Sequence, residues 1–203
     1  MKLKLLFIAL LVAGPALANH PEDRLDHVMS EKEPAFEATD VKRTPALDGL
    51  GPGGGPFDLG SLSERIVVLS FVPEGCGGPC AAQQAVLSEV IKALSITPMS
   101  KMVDFVVVPD GDSAHATARA TEQITIDPGE GAVVTALAAR FATLSSRNQE
   151  GPQVHVIDRA GRHAGIFHGE NFSYLNMVLY LNGLTNARPP EIGLLDRILG
   201  LVR

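Results

Sequence analysis

The chain has 203 residues, 45% of them hydrophobic and 20% charged, with a formal net charge of −6. An acidic chain without a basic cluster excludes nucleic acid as a partner. The absence of Trp and the low aromatic content argue against an aromatic sugar-binding platform.

The N-terminus reads MKLKLLFIALLVAGPALA. Lys2 and Lys4 precede an apolar run that is short of the roughly 20 residues a spanning helix needs. Gly14 and Pro15 break the run, and Ala16-Leu17-Ala18 supplies a small-x-small cleavage signal. Residues 1–18 therefore read as a secretory signal peptide, with an uncleaved membrane anchor as the other reading. This predicts an exported, periplasmic protein with no membrane span after cleavage. No Cys follows the apolar run, which argues against a lipoprotein.

Residues 19–56 read as an extended or partly helical lead-in that ends in a Gly/Pro-rich loop, GLGPGGGP over 49–56. A short edge strand is expected over 36–40, and a second strand or a turn over 57–62. Residues 65–72 hold IVVLSFV, a buried-strand pattern. Cys76-Gly77-Gly78-Pro79-Cys80 follows as a loop. The stretch 81–96 repeats its apolar residues at helical spacing and reads as an amphipathic helix. MVDFVVV over 102–108 is another buried strand. Helices are expected over 113–123 and 131–144.

Strands over 154–157 and 164–168 flank the turn Asp158-Arg159-Ala160-Gly161 and make a β-hairpin. A helix over 172–184 follows, with Asn171 or Ser173 as N-cap. A last helix falls within 187–203. Residues 57–186 thus form one domain of βαβ plus hairpin plus helix. The fold class is α/β and thioredoxin-like, a central mixed sheet flanked by helices.

The chain has two cysteines, four positions apart. A bridge closing so short a loop restrains little of the unfolded chain, so redox chemistry or metal binding explains the pair better. A helix N-terminus presents free N–H groups and partial positive charge, and both favour thiolate. Thiolate is the form that attacks disulfides and binds metal. The three-residue spacing lets both sulfurs face one soft ion such as Cu(I) without forbidding a disulfide.

VLSFVPEGCGGPCAAQQAVLSEV resembles the SCO/SenC family of copper-binding thioredoxin-like proteins. VVVPDGDS and VIDRAGR are similar to later segments of that family, and the likeness spans about 57–184. The resemblance implies a copper chaperone or thiol reductase, with copper as Cu(I) or Cu(II), acting in assembly of the copper centre of cytochrome c oxidase. The implied partners are protein thiols or a copper acceptor such as an oxidase subunit. The family's histidine ligand lies eight residues before the hairpin aspartate, where this chain has Glu150. Pro152 stands where many thioredoxins, including TlpA-like reductases, carry a cis-proline.

Another histidine would have to supply the third ligand. A turn over 158–161 pairs Ile157 with Arg162, Val156 with His163, His155 with Ala164 and Gly151 with His168. His168 then lies at the cysteine end of the hairpin and is the ligand candidate beside Cys76 and Cys80. His163 lies near the turn, His155 mid-strand, and His115 in an exposed acidic turn. His20, with His27 and Met29 beyond it, is a weaker Cu(II) chelator. Two functions compete: copper handling through Cys76, Cys80 and His168, and TlpA-like thiol–disulfide exchange. In the second, Cys76 attacks the target and Cys80 resolves the mixed disulfide.

Overall fold

The computed structural model describes residues 21–41, 44–50, 55, 57–62, 64–110, 123–125, 131–148 and 150–187. The expected signal peptide, most of the glycine-rich loop, the last helix, His20 and His115 lie outside the described residues. So does all of the helix expected over 113–123 except Gln123, which opens a strand instead.

In chain order the elements are α1 (Pro21–Lys32), β1 (Phe36–Val41), β2 (Ile66–Val72), α2 (Gly77–Ser95), β3 (Val103–Pro109) and β4 (Gln123–Thr125). Then come α3 (Gly131–Ala142), β5 (Gln153–Ile157), β6 (His163–His168) and α4 (Tyr174–Asn186). The six strands make one mixed sheet in the order β1-β6-β5-β2-β3-β4. β2, β3 and β4 run parallel, while β5, β6 and β1 each pair antiparallel. Residues 57–62 form a 3-10 turn at Leu59–Leu62, with Phe57 bridging Leu47.

All seven residues of β2 are buried, and all seven of β3. The cause is helix cover on both faces, which also explains runs that are apolar except for Ser70 and Asp104. On one face Ile66, Val68, Val154 and Phe167 meet Leu87, Val90 and Leu94 of α2 and Met177 and Leu181 of α4. On the other, Val67, Leu69 and Phe71 meet Val134, Leu137 and Phe141 of α3. β1 seats Phe36 against Phe167 and Tyr180. Gly165 makes room for it, since a Cβ there would stand 2.5 Å from the Phe36 ring.

The hairpin register differs from the expected one. Ile157 pairs with His163, and beyond a bulge Val156 pairs with Gly165, His155 with Ile166 and Gln153 with His168. The turn explains the first step. Asp158 N–H donates to Arg162 O at 2.9 Å, and Arg162 N–H donates to the Asp158 carboxylate at 3.0 Å. Gly161 takes φ +80°, the left-handed residue that adds one position to a three-residue loop. His168 therefore faces Gln153, not Gly151.

The polar segment before β1 forms a full helix because buried charge ties it down. Arg162 bonds Asp158 at 2.8 Å and Asp26 of α1 at 3.0 Å, and Tyr180 of α4 donates to Asp26 at 2.7 Å. Burial opposes the Arg162 charge, but the two carboxylates more than offset it and raise its pKa. Met29 of α1 is in the core, so it is not available to an N-terminal Cu(II) chelate. Removing the shared cation should be costly, because it leaves buried carboxylates uncompensated. Arg162→Met is expected to lose about 3–5 kcal/mol in urea unfolding at neutral pH; a loss under ~1 kcal/mol would show that the cluster does not hold α1.

Candidate functional site

Cys76 and Cys80 are joined by a disulfide, with Cα atoms 5.7 Å apart. The helix that carries them begins earlier than expected. Cys76 is the N-cap of α2 (φ −62°, ψ −31°), so Cys80 sits in the first turn instead of in a preceding loop. Pro79 permits this, because the first-turn N–H it lacks would have no helical partner. Gly75 (φ +77°) and Gly77 (φ +56°) flank Cys76 in left-handed conformations that other residues adopt only with strain. The strand end is pinned too: Asp110 N–H donates to Val72 O at 2.9 Å, and the Asp110 carboxylate accepts from Glu74 N–H at 3.3 Å.

The two sulfurs have different surroundings. Cys80 is 1% exposed and packs on Val72 and Val107, with Cys76 partly buried against the same group. Cys76 lines a cleft of about 320 Å³ with Phe71, Pro73, Ala138, Ala142, Gly151, Pro152 and Gln153. Pro152 thus lines the same cleft as Cys76. No cis peptide bond occurs among the described residues, so the Gly151–Pro152 bond is trans. Gly169 N–H donates to Pro152 O at 2.8 Å and holds this strand end in place. Glu150, in the position of the family's ligand, is exposed.

His168 does not line the cleft. It lies one strand further out, beside Gln153, which does. Its Nε2 is 2.8 Å from Glu37 Oε2 of β1. A carboxylate can only accept, so Nε2 carries the hydrogen. Burial pushes the His168 pKa down, partly offset by Glu37, and the neutral ring then leaves Nδ1 as a bare lone pair. Nδ1 is buried and has no hydrogen-bond partner among the described residues. Glu37 also accepts from Ser145 Oγ at 2.6 Å and from Ser146 N–H and Oγ at 2.6 and 2.7 Å.

The other two hairpin histidines are structural. His155 Nδ1 lies 3.0 Å from His163 Nε2, and His163 Nδ1 lies 2.7 Å from Thr39 Oγ1. The His155 ring packs edge-on against Phe71 and Phe141. Burial holds the His155 pKa well below its ordinary value and that of His163 down to about 4. His27 is exposed and near Glu31.

Three polar residues at the site were not singled out by sequence: Glu37, Gln153 and Gln83. Gln83 is fully buried on α2, and its Nε2 donates to Gly169 O at 2.7 Å. A signal for it existed, since Gln83 and Gln84 interrupt the buried stripe of α2 one turn after Cys80.

No protein-family model matches the chain, and no curated protein does. Solved structures do. The chain is similar to a SCO1/SenC family lipoprotein from Bacillus anthracis, at 14% identity over 74% of this chain and 98% of that one, with a TM-score of 0.52. It is similar to BsSco, described as a Sco-family cytochrome c oxidase assembly protein with a disulfide switch, at 12% identity over 74% and 96%, TM-score 0.51. A DsbF homologue from Corynebacterium diphtheriae matches at 18% identity over 74% and 93%, TM-score 0.52. The chain has an SCO-like thioredoxin fold. At these identities the likeness is one of fold, and the site rests on its own geometry.

The Glu37 carboxyl yields a pH prediction. Burial alone would raise its pKa, but hydrogen bonds from Ser145, Ser146 and His168 outweigh this and lower it from 4.5 to about 2. The unfolded chain therefore binds more protons than the folded one across that window. The stabilisation is complete above pH 4.5 and is lost as the pH falls through 2. It should amount to about 3 kcal/mol. Denaturant unfolding of Glu37→Gln from pH 5 to 2 should show a shallower fall than wild type; parallel slopes would contradict the assignment.

Proposed function

We propose that this protein is an exported SCO-like thiol protein that handles protein thiols and copper through Cys76 and Cys80. The observation that carries the reading is the cysteine pair itself: a disulfide at a helix start, one sulfur lining an open cleft and the other buried. In exchange, the Cys76 thiolate attacks a sulfur of a target disulfide and displaces the other target sulfur as thiolate. The Cys80 thiolate then attacks Cys76 Sγ, closes the 76–80 disulfide and releases the second target thiol. Two electrons pass to the target, and an upstream dithiol restores the pair. The helix N-terminus favours Cys76 as the leaving and attacking thiolate. The apolar cleft fits a segment of a protein partner.

Copper is the cargo in the second part of the proposal. Reduction frees two sulfurs on one helix face, which lose their protons on binding metal and make a donor set suited to Cu(I). Among the described residues no group of three His, Cys, Asp or Glu side chains is placed to hold a metal in the disulfide form. His168 supplies the third donor in the reduced form. Metal-bound histidines commonly donate their second N–H to a carboxylate. His168 already does so to Glu37, with Nδ1 buried and unused. Assembly of the copper centre of cytochrome c oxidase is the process such a carrier serves, with an oxidase subunit as acceptor. A periplasmic thiol–disulfide oxidoreductase without copper is the alternative, and the Cys76 cleft alone would suffice for it.

Titration of the reduced mature protein with Cu(I) against a competing chelator separates the two. Stoichiometric copper that is lost in Cys76→Ser and weakened about tenfold or more in His168→Ala supports carriage with the third ligand. No copper uptake, with reduction of a test disulfide intact, leaves the oxidoreductase reading.

A further inference from the structure

Gln83 is a buried polar side chain that neither the core nor the copper reading uses. It is 0% exposed and lies three residues beyond Cys80 on α2. Residues so spaced are neighbours on one helix face. Helical side chains also lean toward the N-terminus, which carries the Gln83 amide over the turn that holds the disulfide. One end of that amide is accounted for: Nε2 donates to Gly169 O at 2.7 Å, and Gly169 N–H donates to Pro152 O at 2.8 Å. These two bonds tie the cysteine helix to Pro152, which lines the same cleft as Cys76. The other end is not satisfied. Gln83 Oε1 is buried with no partner among the described residues.

A buried acceptor left bare is costly, so its environment should contain a donor in some state of the protein. The disulfide form has none to offer from Cys80, because a disulfide sulfur carries no hydrogen. Reduction adds one proton and one electron to each sulfur and makes Cys80 S–H a donor. Cys80 is the buried member of the pair, on the helix that carries Gln83, while Cys76 lines the cleft.

We propose that Gln83 is a positioning residue that sets the redox poise of the Cys76–Cys80 pair, anchoring α2 to Gly169 and accepting a hydrogen bond from the Cys80 thiol that only the dithiol form can give. The residue thereby favours the dithiol over the disulfide and makes the pair more oxidising than it would otherwise be. This rests on the thiol-exchange reading above. Its balance is plain: the dithiol and glutathione disulfide give the protein disulfide and two glutathione thiols.

The test is equilibration of the full mature chain with glutathione buffers, for wild type, Gln83→Met and Gln83→Glu, read by thiol trapping. Gln83→Met removes donor and acceptor, while Gln83→Glu keeps an acceptor but cannot donate to Gly169. Gln83→Met should shift the equilibrium about tenfold toward disulfide, a potential about 30 mV more negative. Gln83→Glu should show no shift toward disulfide. Thermal unfolding of both redox forms separates this from a packing role: Gln83→Met should lower the stability of the dithiol more than that of the disulfide. Equal losses with an unshifted potential would overturn the role of Gln83 and leave exchange standing. Should Gln83→Met fail to fold, a shift of Gln83→Glu toward disulfide likewise overturns it. A wild-type pair that does not equilibrate with glutathione at all would overturn both readings.

Discussion

The seating of α2 on the centre of the sheet is the constraint on which the rest depends. Leu87, Val90, Ile91 and Leu94 fix the helix over Ile66, Val68, Val103 and Phe105. β2 and β3 are parallel, so the connection between them must cross the sheet, and α2 is that crossover. The start of α2 therefore falls at the end of β2, and Cys80 is pressed onto Val72 and Val107. Apolar burial is strong and non-directional; it places the cysteines to within a turn. The short polar contacts of Asp110 and the left-handed glycines at 75 and 77 do the finer placement.

The sheet's other half is organised around buried polar groups, and these set the cleft's far wall. Glu37 gathers Ser145, Ser146 and His168, which holds the segment after α3 against the edge strand β1. α3 in turn contributes Ala138 and Ala142 to the cleft. Arg162 does the corresponding work on the opposite face, joining α1, the hairpin turn and α4 through Asp26, Asp158 and Tyr180. Such groups add little net stability over a well-packed apolar cluster. Their effect is to make one arrangement of β1, β6 and the helices much better than its neighbours.

The sequence was most legible where periodicity and burial coincide. IVVLSFV and MVDFVVV are strands because both faces are covered, and the spacing of Leu87, Val90, Ile91 and Leu94 carries the helix. It was least legible where one residue's backbone decides the outcome. Gly161 in the left-handed region, with a bulge after it, moved the hairpin register and placed His168 opposite Gln153 instead of Gly151. Side-chain alternation fixes faces but not such insertions. The helix-start placement of the cysteines was readable, whereas the inclusion of Cys80 in the helix depended on Pro79 acting as a starter within it. Glu37 could not be found by any motif, because its partners lie more than a hundred positions away.

The spacing of the cysteines acquires its meaning from that helix start. With Cys76 as N-cap and Cys80 in the first turn, four positions place the two side chains one above the other on the same face. A disulfide then closes with the Cα atoms 5.7 Å apart, within the ordinary range for such bridges. In the proposed dithiol form the same stacking would keep the two sulfurs together as a pair of soft donors. Exchange with a protein disulfide and carriage of Cu(I) thus make the same demand on the scaffold. What would separate them is the second layer, Gln83 one turn beyond Cys80 and His168 paired with Gln153. There one buried oxygen and one buried nitrogen, each without a hydrogen-bond partner among the described residues, are the atoms on which the two proposed roles turn.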